Sequence, residues 1–259
     1  MQIKFVPIYS GSSGNCALFV TEGAKLLIDA GKPGSAIIDQ LKRLRLDPSR
    51  LDGILVTHEH TDHAKGVGVL SRRYDIPVSA MEHSVGSIAP KNVRVINAGH
   101  EFSVGNICVC PHSVPHDAAD PVGYVLRCCN RAVAQFTDLG HMPKEILETA
   151  SDADLVVLES NHDIVMLKNG PYPAMLKNRI LGRRGHLSND TAAETAVSLA
   201  RRGVSTIVLG HLSAQNNTET IAFQTVSTAL TKEGVRIGDD LRLEVASREG
   251  PTVAYDLSV

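Results

Sequence analysis

The stretch GILVTHEHTDH (53–63) decides how the rest of the sequence is read. Residues 53–57 form a short apolar run of strand type, and His58, Glu59, His60, Thr61, Asp62 and His63 follow without a linker. Three imidazoles and a carboxylate so close together form a donor set suited to zinc, manganese or iron. On a loop leaving a strand end, His58 and His60 can point to one side and grip one metal. Asp62 and His63 then turn to the other side and grip a second. The competing reading is a polar surface loop, but three histidines rarely crowd together where nothing is ligated.

Outward from this loop the pattern is α/β. IKFVPIY (3–9), CALFVT (16–21) and KLLIDAG (25–31) read as strands, with SGSSGN (10–15) as a turn. That turn could also present backbone N–H groups to a phosphate. A helix is expected with Ser35 as its N-cap, Ile37, Leu41 and Leu44 on one face, and Asp47-Pro48 as its stop. Strands are expected at 77–80, 93–96, 107–114, 122–128, 131–138, 154–160 and 205–210. Helices are expected at 142–150, within the basic stretch 164–184, at 190–202 and at 218–233, and two strands close the chain. DLVVLES-NHD and TIVLG-HLS again place a histidine just past an apolar strand, where layered α/β folds gather their sites. No shift in composition marks a boundary, so one domain over 1–259 is expected.

Composition bounds the function. The 259 residues carry a formal net charge of -2, which excludes a globally basic nucleic-acid protein and leaves room only for a local basic patch. No apolar run is long enough for a membrane span, and MQIKFVPIYS lacks the pattern of a signal peptide. Five cysteines do not suggest a disulfide framework. Cys108, Cys110, Cys128 and Cys129 also lack the C-x-x-C spacing of a zinc site. A cytoplasmic protein that does not act on membranes is the expectation, with oligomeric state open.

HEHTDH after a strand, together with LLIDAG, resembles the metallo-β-lactamase superfamily across nearly the whole chain. SGSSGN, HDAADPVGY, TDLG, ESNHD, GHLSN and LGHLSAQNN are similar to the blocks of its YycJ-like (WalJ-like) subfamily. The resemblance implies a four-layer αβ/βα sandwich with two divalent metals, whether zinc, manganese or iron. It implies His58, His60 and His116 on one metal, Asp62, His63 and His211 on the other, and Asp138 shared between them. His112, four residues before His116, is the competing ligand. Asp29 is either a turn cap or an acceptor that orients a ligating group. In this superfamily the metals polarise the substrate and make a nucleophile from water near neutral pH.

The reaction class rests on two further features. Glu159 and His186 resemble a pair that assists the leaving oxygen in ribonuclease Z and related phosphodiesterases, since an alkoxide departs poorly unless protonated. Asp62 and Asp138 complete the expected catalytic set. Residues 164–189 hold Lys168, Lys177, Arg179, Arg183 and Arg184 and no Asp or Glu. Such a run is either a solvated face or a phosphate-binding patch, for which Lys177, Arg179, Arg183 and Arg184 are the candidates. Tyr172 and Phe136 are candidates for stacking on a base, with core packing the alternative for Phe136. A metal-dependent phosphodiesterase is expected, and the resemblance to the YycJ-like subfamily implies a nuclease, a 5′-to-3′ exonuclease on DNA. The alternatives are a small-molecule cyclic phosphodiesterase, a thioester or lactone hydrolase of the same fold, and a metal-binding regulatory protein without turnover.

Overall fold

The computed structural model describes residues 1–251 and 253–258. In chain order the elements begin with β1 (Ile3–Tyr9), β2 (Cys16–Thr21), β3 (Lys25–Ile28), α1 (Gly34–Arg43), β4 (Gly53–Leu55), α2 (Thr61–Ala64) and α3 (Val67–Tyr74). β5 (Val78–Met81), α4 (Glu82–Ile88), β6 (Val93–Ile96), β7 (Phe102–Val104), β8 (Ile107–Ser113) and β9 (Val122–Cys128) follow. Then come β10 (Arg131–Phe136), α5 (Lys144–Ser151), β11 (Leu155–Glu159), α6 (Ile164–Asn169), α7 (Ala174–Ile180) and α8 (Asn189–Arg201). β12 (Thr206–Gly210), α9 (Glu219–Lys232), β13 (Arg242–Val245) and β14 (Tyr255–Asp256) complete the chain. It divides into two compact units: 1–113, 118–130 and the segment from Ser247 onward form the first, and 114–117 with 131–246 form the second.

The first unit is built on a sheet of order β14-β1-β2-β3-β4-β5-β6. Its β1, β2 and β3 pair antiparallel, whereas β3 through β6 run parallel. Parallel strands are covered on both faces, which explains the unbroken apolar reading of Leu26-Leu27-Ile28 and of Ile54-Leu55. Ile37, Ile38 and Leu41 of α1 and Val67 and Leu70 of α3 join Val78 and Ala80 in its core. β7, β8 and β9 of this unit form an antiparallel meander. The register Ile28↔Leu55 brings the ends of β3 and β4 together, so the Asp29 backbone N–H donates to the Leu55 carbonyl at 2.8 Å. The Asp29 side chain and the loop after β4 therefore lie side by side.

The second unit is built on β10, β11, β12 and β13, all parallel. α8 packs against α9, α5 and β11, and α9 against β13. The register Phe136↔Leu158 and Glu159↔Gly210 aligns the ends of three strands. Residues just past those ends, Asp138, Ser160 and His211, are thereby gathered along one edge. Ser188 and Thr218 cap α8 and α9 by accepting from the backbone N–H groups of Thr191 and Ile221.

The expected α/β class is found, with local corrections. Pro33, not Ser35, is the N-cap of α1, and the helix ends at Arg43, short of Asp47. Pro33 sits at φ -50° and ψ 138° and gives no side-chain cap, while Ser35 already lies inside the first turn. The basic stretch is two helices, α6 and α7, broken at Gly170–Pro173. α3 escaped the sequence reading because Gly66 and Gly68 look like loop residues. Both are glycine for close approach: a Cβ at Gly66 would lie 2.5 Å from the Lys32 carbonyl oxygen, and one at Gly68 2.5 Å from that of Ile88.

Candidate metal centre

In the first unit the loop after β4 carries the donors. His58 Nε2 faces His60 Nδ1 at 3.1 Å, and the Asp62 carboxylate lies 3.6 Å from His63 Nε2. Behind them sits Asp29, fully buried, with φ 60°. Its carboxylate accepts from the Thr57 backbone N–H at 2.8 Å, from the Thr57 hydroxyl at 2.9 Å and from His63 Nδ1 at 2.8 Å. A buried carboxylate needs such donors, and the last of them fixes a tautomer. With the Nδ1 proton given to Asp29, Nε2 presents its lone pair on the side of Asp62. The SGSSGN turn buttresses this loop: the Asn15 backbone N–H donates to the Asp62 carbonyl at 2.7 Å, and the Asn15 amide nitrogen stands 3.0 Å from His63 Nε2. Gly31 is glycine of necessity, because a Cβ there would lie 1.7 Å from the Asp62 carbonyl oxygen.

The second unit carries a set of its own. Asp138 Oδ1 lies 3.6 Å from His116 Nε2 and 3.6 Å from His211 Nε2. The opposite nitrogens are committed: His116 Nδ1 donates to the Gly185 carbonyl at 3.2 Å, and His211 Nδ1 to Glu159 at 2.8 Å. Two imidazole lone pairs thus lie near one carboxylate oxygen, with the Asp117 carboxylate 3.4 Å from His116 Nε2, an all-acceptor arrangement that suits a divalent metal. Burial pushes the His116 pKa down despite the pull of Asp138, which keeps the ring in its neutral, ligating form. Glu159 is fully buried and also accepts His186 Nδ1 at 2.8 Å. Its other oxygen accepts the backbone N–H groups of Leu139 at 2.8 Å and Leu187 at 3.1 Å. Burial works against the Glu159 carboxylate, but the imidazoles of His186 and His211 outweigh it and hold the carboxyl far below the usual range. Ligand atoms of Asp138, Glu159, His186 and His211 all fall within 4.8 Å of one another.

Residues 24–212 match the profile of the beta-lactamase superfamily domain. The chain is 38% identical to the exodeoxyribonuclease YycJ of Bacillus anthracis, over 97% of this chain and 98% of that one. It is 34% identical to the exodeoxyribonuclease WalJ of Streptococcus pneumoniae, over 96% of each. The chain belongs to the metallo-β-lactamase superfamily. Its fold is that of the metallo-β-lactamase fold protein YhfI from Bacillus subtilis, with a TM-score of 0.76 at 15% identity over 99% of this chain and 100% of that one. The His/Asp clusters of this metallo-β-lactamase chain suit a divalent metal, as the family implies.

Three of the strand-end residues adopt left-handed backbone: Asp29 at φ 60°, Asp138 at φ 62° and His211 at φ 55°. Asn161 holds the last of these by donating from its amide to the His211 carbonyl at 2.9 Å. His112, the competitor of His116, stands in β8 of the first unit, whereas the histidine beside Asp138 in the second unit is His116. Of the basic residues, Lys177 donates to the Lys168 carbonyl at 2.7 Å, Arg179 pairs with Asp117, and Arg184 Nε donates to the His116 carbonyl at 2.9 Å. Phe136 is fully buried core. The cysteines are free thiols, as a chain without a disulfide framework requires. No helix among the described residues is long and apolar enough to cross a membrane. Sequence reading missed Asn15, Thr57, Asn161 and Gly185. All four lie inside the stretches SGSSGN, GILVTHEHTDH, ESNHD and GHLSN, but nothing in their residue types marks the contacts they make.

Proposed function

We propose that this chain is a metal-dependent nuclease that hydrolyses phosphodiester bonds in DNA, working from the 5′ end. The observation that carries the reading is the Glu159–His186 pair beside Asp138, 2.8 Å between partners, in a chain similar over its length to proteins named exodeoxyribonucleases. His58, His60 and His116 would hold one divalent cation, Asp62, His63 and His211 a second, and Asp138 both. Zinc, manganese and iron all suit these donors. When bound, such cations neutralise charge on a phosphoryl group and supply a nucleophile from water at neutral pH. The chain would act as one domain over 1–259, in the cytoplasm.

The protein's own groups do the rest. Asp29 and the Gly185 carbonyl set the tautomers of His63 and His116, and Glu159 sets that of His211. Glu159 also takes the Nδ1 side of His186, which leaves Nε2 as the ring atom that exchanges a proton with the departing oxygen. His186 keeps some solvent exposure, at 14% of its side chain, as a group that meets substrate must. Among the basic residues Arg183 is exposed and is the cation we assign to the phosphate backbone.

The test gives metal-reconstituted protein 5′-labelled single- and double-stranded DNA and RNA beside a generic diester, with Asp138→Ala as the blank. Release of nucleotides from DNA by the wild type alone is expected. DNA left intact while a thioester or a cyclic diester is hydrolysed would replace the reading with that activity. Inertness of the metal-loaded protein towards all of them would make it a binding protein.

A further inference from the structure

Arg179 and Arg184 look, in sequence, like phosphate contacts. We propose instead that they are positioning residues: a clamp that seats His116 as a metal ligand and ties it to the loop bearing His186. This rests on the reading of His116 as a ligand.

The clamp is visible bond by bond within the second unit. Arg179 grips both oxygens of Asp117, the residue after His116, through Nε and through Nη2 at 3.0 Å. Arg184 Nε donates to the His116 carbonyl at 2.9 Å, and one residue later the Gly185 carbonyl accepts from His116 Nδ1 at 3.2 Å. Backbone and ring of His116 are thus held by two successive residues, and the next in line is His186. The same segment is anchored from below. The Gly185 position is pressed on the end of α7, where a Cβ would lie 2.1 Å from the Ile180 carbonyl oxygen, and His186 donates its backbone N–H to that carbonyl at 3.0 Å. On the other side Gly140, two residues past Asp138, lets the Arg183 backbone approach, since a Cβ there would lie 2.2 Å from it. The Gly140 N–H donates to the Pro115 carbonyl at 2.9 Å, so the loops bearing His116, Asp138 and His186 are joined in one ring. A guanidinium spent on a carboxylate and another on a backbone carbonyl hold geometry. Arginine suits this because its planar fork fixes two bonds at once, which a lysine cannot do.

The two roles part experimentally. Zn²⁺ affinity is measured by competition with a chromophoric chelator, and affinity for a phosphorothioate DNA duplex is measured across a salt series. Arg184→Lys keeps the charge but loses Nε, and Arg179→Met frees Asp117. Under the clamp both weaken Zn²⁺ binding by about 10- to 100-fold and leave the salt slope of DNA binding unchanged. Arg183→Ala does the reverse, lowering that slope by about one with Zn²⁺ affinity intact. Thermal unfolding of each metal-free variant separates a reseated ligand from a lost fold, and Asp117→Asn, which also releases Arg179, serves if Arg179→Met fails to fold. Wild-type Zn²⁺ affinity in Arg184→Lys and Arg179→Met overturns the clamp, as does a lowered salt slope with zinc unaffected. His116→Ala keeps the two proposals apart: if it binds Zn²⁺ as the wild type does, the ligand assignment fails, not the clamp alone.

Discussion

Glu159 serves two imidazoles with one oxygen, His186 and His211 each at 2.8 Å, and two backbone donors with the other. Glu159→Gln would turn an amide N–H toward groups that themselves donate. Turnover should fall by about 10²- to 10⁴-fold in steady-state assays. Asp138→Ala and His186→Ala should differ in kind: the first loses metal on dialysis, whereas the second keeps it and loses rate. Equal metal loss in both would refute the division of labour. His162 makes a separate prediction. It is almost fully buried, both ring nitrogens lack a hydrogen-bond partner among the described residues, and burial lowers its pKa to about 4 from an ordinary 6.5. The unfolded chain therefore takes up the proton first as pH falls, so stability is full above about 6.5 and is lost on the way down to about 4. The loss should reach about 3 kcal/mol at most. Denaturant titrations of the metal-free protein at pH 7 and pH 4.5 should show His162→Leu to be less acid-sensitive than the wild type.

At the scale of elements, strand ends and helix starts place the chemistry. The strands β4 and β12 were legible because apolar runs lead into their histidines, whereas β10 is broken by Gln135 and Thr137 separates it from Asp138. His58, His60, Asp62 and His63 could be named on spacing alone. His116 and Asp138 could be named only by order and resemblance, whereas His211 also stands directly after the apolar run TIVLG. What the sequence hid are contacts between segments far apart in the chain. Asp29 meets Thr57 only through the pairing of β3 with β4, and Gly185 meets His116 across 69 positions. The Ser188 cap of α8 directly follows the loop of His186 and was visible only as a helix start. Ser188→Ala should cost about 1 kcal/mol in urea unfolding. Gly31→Ala should cost more, about 3 kcal/mol as an overpacked site, and should lower metal content as well, because the displaced atom belongs to the ligand loop. A Gly31→Ala protein with wild-type metal content would show that the loop tolerates the shift.

For the whole molecule, bound metal and stability are linked. A cation present at a thousand times its dissociation constant adds about 4 kcal/mol to the folded state, so chelation should lower the melting temperature and re-addition of zinc or manganese should restore it. Calorimetry with and without chelator checks this, and an unchanged melting temperature would mean that the donors hold no ion in solution. The left-handed backbone at Asp29, Asp138 and His211 has its own consequence. A side chain in that conformation costs about 1–2 kcal/mol that glycine avoids. A library screened only for survival of heating would therefore favour glycine at Asp138 and shed that proposed ligand, whereas at Asp29 and His211 glycine would strand the buried partners these side chains satisfy. Durability and turnover must be selected together in any effort to harden this scaffold.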